Sequence, residues 1–278
     1  MARETVAATP ASADPRQREL EGRVAVVTGG AKGIGRTVGE LMAAAGAGVV
    51  VAGRDQQAID VVVGELNGSS GERRVLGIRC DVTSEDDTKA MVAHALEAFG
   101  RIDILVNSAG GTGPIETPCH EYPADEFRSI LDLNVVGTFL PCKAVIPAMI
   151  ANGSGRIVNI AGTSGLRGYR NRSGYSASKW AVRGFTRTLA LELGQYGITV
   201  NDVCPNVTTG ARMDRIVRTK AARSGSTPDE VYAEFASQTA LGRFVDEIDV
   251  AEAVLFLASD RAKNITGHDI VVDAGWDV

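Results

Sequence analysis

Short apolar runs rich in β-branched residues recur along this chain, and each is followed by a stretch with helical spacing before the next begins. The first, "RVAVVTG", leads into "GRTVGELMAAAG". Later strands are predicted at 49–52, 75–79, 102–107, 156–160, 199–203 and 269–272, with helices near 55–66, 84–99, 123–151, 173–196 and 247–259. Strands that are apolar throughout and separated by single helices need a parallel sheet covered on both faces. The fold class is therefore α/β, a doubly wound parallel sheet in a single domain. With 278 residues and 44% hydrophobic composition, the chain can bury one substantial core.

Two segments fall outside this alternation. Residues 1–21 mix charges with Ala, Thr and Pro and have no signal-like apolar stretch, so they read as a disordered tail, leaving the domain at 22–278. Residues 206–240 are too long for a plain connection. Within them "TPDEVYAEF" offers Thr227 and Glu230 as a capping box with Pro228 at the first helical position. A helical insertion at the carboxyl end of a strand is expected to act as a substrate lid.

Charge and cysteine usage narrow the partners. A net charge of −5 with dispersed basic residues gives no footprint for nucleic acid or an anionic membrane. The apolar run "MAAAGAGVVVA" is too short to span a bilayer. Cys80, Cys119, Cys142 and Cys204 are far apart, which favours reduced thiols and a cytoplasmic location. His94, His120 and His268 have no ligand spacing, so no metal site is expected. Trp180 and Trp276 are assigned to core or subunit contacts, and Arg212, Arg215, Arg218, Lys220 and Arg223 to a solvated helix face.

A nucleotide site is readable at the strand ends. "TGGAKGIG" places Gly29, Gly33, Ile34 and Gly35 at the turn into the first helix, whose free N–H groups suit a pyrophosphate. The second strand ends in "VVVAGRD", with Gly53 where an acidic residue would bind a ribose 2′-hydroxyl. Arg54 and Lys32 are instead positioned for a 2′-phosphate, pointing to NADP(H) over NAD(H). "CDVT" puts Asp81 and Val82 beside an adenine, and "NSAG" puts Asn107, Ala109 and Gly110 against the cofactor.

"SGYSASKW" raises a different question. Tyr175 and Lys179 are one helical turn apart, on a face that also carries Val182, Leu189 and Leu193, so a lysine points toward the core.

The ordered set "TGGAKGIG", "CDVT", "NSAG", "LDLNVVG", "RIVNIAGTSG" and "YSASK" resembles the classical short-chain dehydrogenase/reductase family from about Gly22 to Val278. The resemblance implies a Rossmann-type domain, a nicotinamide cofactor, a small carbonyl or alcohol substrate, and a homotetramer or homodimer. It implies that Tyr175 exchanges the proton with the substrate oxygen. Lys179 binds the nicotinamide ribose and favours the phenolate, and Asn134 holds a water in the proton relay.

Two positions depart from the family pattern. Gly162 stands where a serine hydroxyl normally meets the substrate oxygen, leaving Thr163 and Ser164 as candidate replacements. Asn206 stands for a glycine after Pro205, in a loop whose Pro205, Val207 and Thr208 are expected to contact the nicotinamide carboxamide. The expected activity is NADP(H)-dependent interconversion of a ketone or aldehyde and an alcohol. The alternatives are altered chemistry on the same fold (dehydratase, isomerase or cyclase) or a non-catalytic cofactor-binding protein.

Overall fold

A computed structural model describes residues 18–70, 74–276 and 278. Seven strands form one parallel sheet: β1 (Val24–Thr28), β2 (Gly48–Gly53), β3 (Val75–Arg79), β4 (Ile104–Asn107), β5 (Gly155–Ile160), β6 (Ile198–Pro205) and β7 (Asp269–Val272). Their order is β3-β2-β1-β4-β5-β6-β7. The direction of winding therefore reverses between β1 and β4, which opens a crevice at their carboxyl ends. Thr28 sits beside Asn107 in that register.

The helices are α1 (Gly33–Ala44), α2 (Gln56–Ser70), α3 (Glu85–Phe99), α4 (Ala124–Leu131), α5 (Gly137–Asn152), α6 (Ser173–Leu193), α7 (Ala211–Ser224), α8 (Pro228–Ser237) and α9 (Glu247–Ala258). The boundaries have local causes. Ser84 caps α3 by accepting from the Asp87 amide, and Gly100 ends that helix in the left-handed region. The capping box predicted at Thr227 is formed, and Asp246 with Asp249 makes a second one at α9. The single helix expected over 123–151 is instead α4 and α5 joined by a π-helical turn, Asp132–Val136. That wider turn, of a kind often found at functional sites, contains Asn134.

Two apolar layers sandwich the sheet. On one face Ala25, Val27, Val49 and Val106 of the sheet pack with Val38 and Met42 of α1 and Val254 of α9. On the other face Val26, Leu105 and Ile157 pack with Met91, Val145 and Leu189. The stretch Ala124–Asn152 is apolar and long enough to cross a membrane by length and composition; here α5 packs on β4, β5 and α3. Leu20 corrects the expected start of the domain: it is fully buried in the first layer, and its amide donates to the Ala45 carbonyl at 3.0 Å. Most of the expected tail, 1–17, lies outside the described residues.

A buried polar chain crosses the sheet beneath the crevice. Asn107 Nδ2 donates to Asn159 Oδ1 at 2.8 Å, Asn159 Nδ2 to Thr186 Oγ1 at 2.7 Å, and Thr186 Oγ1 to Asp202 Oδ1 at 2.7 Å. Burial pushes the Asp202 carboxyl well above the usual range, and the neighbouring Asp269 adds to this. Asp269 is the ionised partner, held down against its own burial by the Arg183 fork at 2.9 and 2.8 Å. Because the native state keeps a proton on Asp202 that the unfolded chain releases near pH ~4, stability falls as pH rises from there through the raised native value. Asp202→Asn should remove that fall. Its melting temperature should gain on the parent as pH rises above about 4, by up to ~1.4 kcal/mol, roughly 3–5 °C, per pH unit until the native carboxyl ionises; no change in the difference above pH ~4 would refute a neutral Asp202.

Candidate active site

The turn between β1 and α1 is shaped by how closely it approaches β4. A Cβ on Gly29 would lie 2.8 Å from the Ala109 amide nitrogen, and one on Gly35 would lie 2.5 Å from the Gly29 carbonyl oxygen. Glycine is the residue that fits both positions. Thr28, which opens the "TGGAKGIG" motif but is not among the expected site residues, accepts from the Ala109 amide at 3.3 Å and pins the two strand ends together. α1 starts at Gly33 with no side-chain cap and no acid in its first turn, so its amides are available to an anion. Thr37 Oγ1 donates to Glu247 at 3.4 Å, and burial pushes that carboxyl up. This shallow cradle fits a dinucleotide pyrophosphate.

At the far end of the crevice, Lys32 and Arg54 are exposed and make no ion pair among the described residues. A Cβ at Gly53 would meet nothing nearer than Ile59 at 3.8 Å, so packing does not demand glycine there. Asp81 accepts from the Thr83 amide at 3.0 Å and hydroxyl at 2.8 Å, and that amide bond is the main cause holding its carboxyl below the usual range. Val82 is buried beside it in the second core layer. Ala109 and Gly110 follow the end of β4, where the Gly29 turn packs against Ala109. Asn107 turns its side chain into the core, toward Asn159 and Cys142.

Tyr175, Lys179 and Asn134 come together at the centre. Lys179 is 7% exposed; its Nζ donates to the Ile160 carbonyl at 2.7 Å and lies 5.8 Å from the Tyr175 ring centre. Burial pulls the lysine below its ordinary value and Tyr175 opposes this. An ammonium has three donors, and one is used. The Asn134 side chain is fully committed to protein: Oδ1 accepts from the Gly111 amide at 2.8 Å, while Nδ2 donates to the Gly111 carbonyl at 3.1 Å and to Ser178 Oγ at 2.9 Å. A Cβ on Gly110 would lie 3.0 Å from Asn134 Oδ1 and 3.9 Å from Lys179 Nζ, so these three groups share one small space.

The missing serine has a specific geometry. A Cβ at Gly162 would lie 3.7 Å from Tyr175 Oη, the place from which a hydroxyl would reach a substrate oxygen. Yet Gly162 adopts φ 95°, ψ 156°, a region essentially reserved for glycine. Thr163 does not take over as predicted, because its hydroxyl is buried and bonded to Tyr169 Oη at 2.9 Å. Asn206 Nδ2 donates to the same Tyr169 oxygen at 3.3 Å, so Asn206 and the neighbour of Gly162 meet on one phenol. Ser164 is half-buried in the 3-10 turn Thr163–Gly165, with no hydrogen bond that ties it to the phenol.

The loop after β6 differs in detail from expectation. Pro205 ends the strand with its carbonyl facing Gly162. Val207, held at φ 38°, is strained for a β-branched residue; its side chain is buried with Met213, Val217 and Trp276, and its carbonyl accepts from the Val245 amide at 3.2 Å. Thr208 Oγ1 turns to the Asn206 carbonyl at 3.4 Å. The arginines of α7 are not a uniform solvated face. Arg212 donates to the Gly110 carbonyl at 3.0 Å, Arg215 to Thr112 Oγ1 at 2.8 Å and Arg223 to the Glu116 carbonyl, whereas Lys220 pairs with Glu234 at 2.8 Å. Arg172 is a site residue that the sequence candidates do not include; its guanidinium lies 4.8 Å from the Tyr175 ring centre, and its place three residues before that tyrosine is the available signal.

A family model described as enoyl-(acyl carrier protein) reductase matches residues 29–277. The short-chain reductase protein NovJ of Streptomyces niveus is 36% identical over 267 residues, 96% of this chain and 98% of that one. The chain belongs to the short-chain dehydrogenase/reductase family. Another member, the trans-4-hydroxycyclohexanecarboxylate dehydrogenase of Sinomonas cyclohexanicum, is 34% identical over 91% of this chain and 92% of that one. The crystal structure of an actinorhodin polyketide ketoreductase with NADPH superposes with a TM-score of 0.86 and 33% identity, covering 91% of this chain and 97% of that one. As a short-chain dehydrogenase/reductase, the protein is an oxidoreductase acting on CH–OH and carbonyl groups, which removes the non-catalytic alternative.

Gly162 supplies a paired test. Alanine and serine at 162 face the same backbone strain, and each should cost about 1–3 kcal/mol of stability. The two variants differ in one hydroxyl. With a ketone substrate the serine variant should turn over on the order of 10² faster than the alanine variant; equal rates would show that no substrate oxygen approaches this position.

Proposed function

We propose that the protein is an NADP(H)-dependent oxidoreductase that interconverts a ketone or aldehyde and an alcohol on a small or medium metabolite. The observation that carries this reading is the convergence of the Tyr175 phenol, the buried Lys179 ammonium and Gly110 at the mouth of a glycine-lined cradle. The names of the relatives support it: one is a dehydrogenase of a cyclic hydroxy acid, and the ketoreductase structure is with NADPH.

Each residue has a defined task in this reading. The amides of Gly33, Ile34 and Gly35 hold the pyrophosphate, and Gly29 lets it approach. Lys32 and Arg54 meet the 2′-phosphate, Asp81 and Val82 the adenine, and Ala109 and Gly110 the flat face of the cofactor. The backbone of Pro205, Val207 and Thr208 faces the carboxamide. The bound nicotinamide supplies or accepts the hydride. Lys179 turns its two unused N–H groups to the ribose hydroxyls, and its charge stabilises negative charge on the phenol. Tyr175 gives its proton to the substrate oxygen in reduction and removes it in oxidation. Asn134 fixes the loop at Gly111 against α6, which keeps Lys179 and the groove in register.

The helices α7 and α8 close over the substrate side as a lid. A cytoplasmic location and assembly into two or four copies belong to the same proposal; exposed Phe139 and Trp180 on α5 and α6 are apolar surface that a second copy would cover. Gly162 favours one competing reading, acid–base chemistry without net redox change, since the usual hydroxyl is lacking and Thr163 is engaged elsewhere. Substrate-dependent NADPH consumption at ordinary rates would remove it.

Tyr175→Phe should lower turnover by on the order of 10²–10⁴ while NADPH still binds by fluorescence titration; unchanged turnover would defeat the assignment. Arg54→Ala should weaken NADPH about tenfold, the scale of one lost charge-assisted contact, and NADH far less. Equal losses for the two cofactors would argue against the 2′-phosphate site.

A further inference from the structure

The open side of the Tyr175 ring is lined by positive charge that has no counterion among the described residues. Arg172 stacks on the ring at 4.8 Å, and its Nε is buried without an acceptor. On α7, Arg215 is exposed, and its guanidinium makes one hydrogen bond among the described residues, to the neutral Thr112 hydroxyl. Neither guanidinium has a carboxylate within ion-pair distance among those residues. Burial lowers the pKa of Arg172, and Arg215 pushes it the same way, so the two side chains feel one another. Glu116 attracts Arg172, but its carboxylate accepts from the Asn171 amide at 3.5 Å and pairs with neither arginine.

A hydroxyl or a backbone carbonyl satisfies an N–H group without cancelling the charge behind it. Arg172 is partly desolvated beside the half-buried phenol and is repelled by the exposed Arg215, a cost that an anion placed between them would offset. Guanidinium forks match the paired oxygens of a carboxylate or phosphate. We infer that Arg172 and Arg215 form a subsite for an anionic group, carboxylate or phosphate, carried by the same molecule whose carbonyl or hydroxyl meets Tyr175. The inference rests on the oxidoreductase reading above. Because Arg172 lies over the ring itself, the anion sits a short spacer away from the reacting carbon. Arg212 is not included, since it bonds to Gly110 and acts on Lys179, on the cofactor side.

The test uses three carbonyl probes with one skeleton: 4-oxocyclohexanecarboxylate, its methyl ester, and the phosphate ester of 4-hydroxycyclohexanone. Turnover is followed by NADPH consumption in the parent, Arg172→Met and Arg215→Gln. Since Arg172 also touches the Tyr175 ring, the readout is the ratio of kcat/KM between charged and neutral probes rather than any single rate. The parent should prefer a charged probe at least about tenfold, with a preference that shrinks as ionic strength rises; both variants should bring the ratio close to one. Whichever of the two anions is preferred identifies the group. A parent that reduces the ester as well as the acids overturns the subsite while leaving the oxidoreductase reading intact. If no probe is turned over, binding decides: the NADPH-loaded parent should show a melting temperature raised by the charged probes and not by the ester, and that rise should be lost in Arg215→Gln. An equal response to all three, or none to any, overturns the proposal.

Discussion

Lys179 carries an ammonium into a place where only 7% of the residue remains exposed, and the surroundings of the crevice are arranged around that burial. A buried charge with a single carbonyl partner would be costly on its own. One neighbour reduces the cost: the Tyr175 phenol lies one turn back and favours the charged lysine. The position follows from α6, where a spacing of four puts phenol and ammonium on one face. The orientation of that helix follows from Asn134, which grips both Gly111 and Ser178. Local sequence, helix packing and the reacting centre are thus joined by one charge.

Much of this is legible in the sequence because it follows from local rules. The seven strands are marked by short runs rich in β-branched residues, and the predicted bounds of β3 and β7 match the observed ones. The glycine cradle is legible because Gly29 and Gly35 stand where two backbones nearly touch. Other features depend on contacts distant in the chain. Leu20 looks like part of a polar tail until Ala45 is seen to accept its amide. Asn107 reads as a groove residue, but a strand end presents two faces, and Asn159 draws its side chain inward. Nothing in the order of residues says that Thr163 and Asn206, 43 positions apart, share Tyr169. The five basic residues of α7 form one cluster in sequence and divide in space, because the helix has two sides and α8 covers one of them.

The two ends of the crevice use positive charge differently. After β1 and β2, Lys32 and Arg54 stand exposed at the surface. Near Tyr175 the Arg172 guanidinium is partly desolvated. Charge in the second setting is felt more strongly, because less water screens it.

The helices α7 and α8 have an interior of their own, in which Val207, Met213, Val217, Ala221 and Val231 close on Trp276. This small core is separate from the two layers that sandwich the sheet. Changes within it that reshape one wall of the cleft will be only weakly coupled to the stability of the sheet, as distant sites generally are. Such an arrangement behaves as an exchangeable cassette, able to change while the sheet beneath it stays as it is.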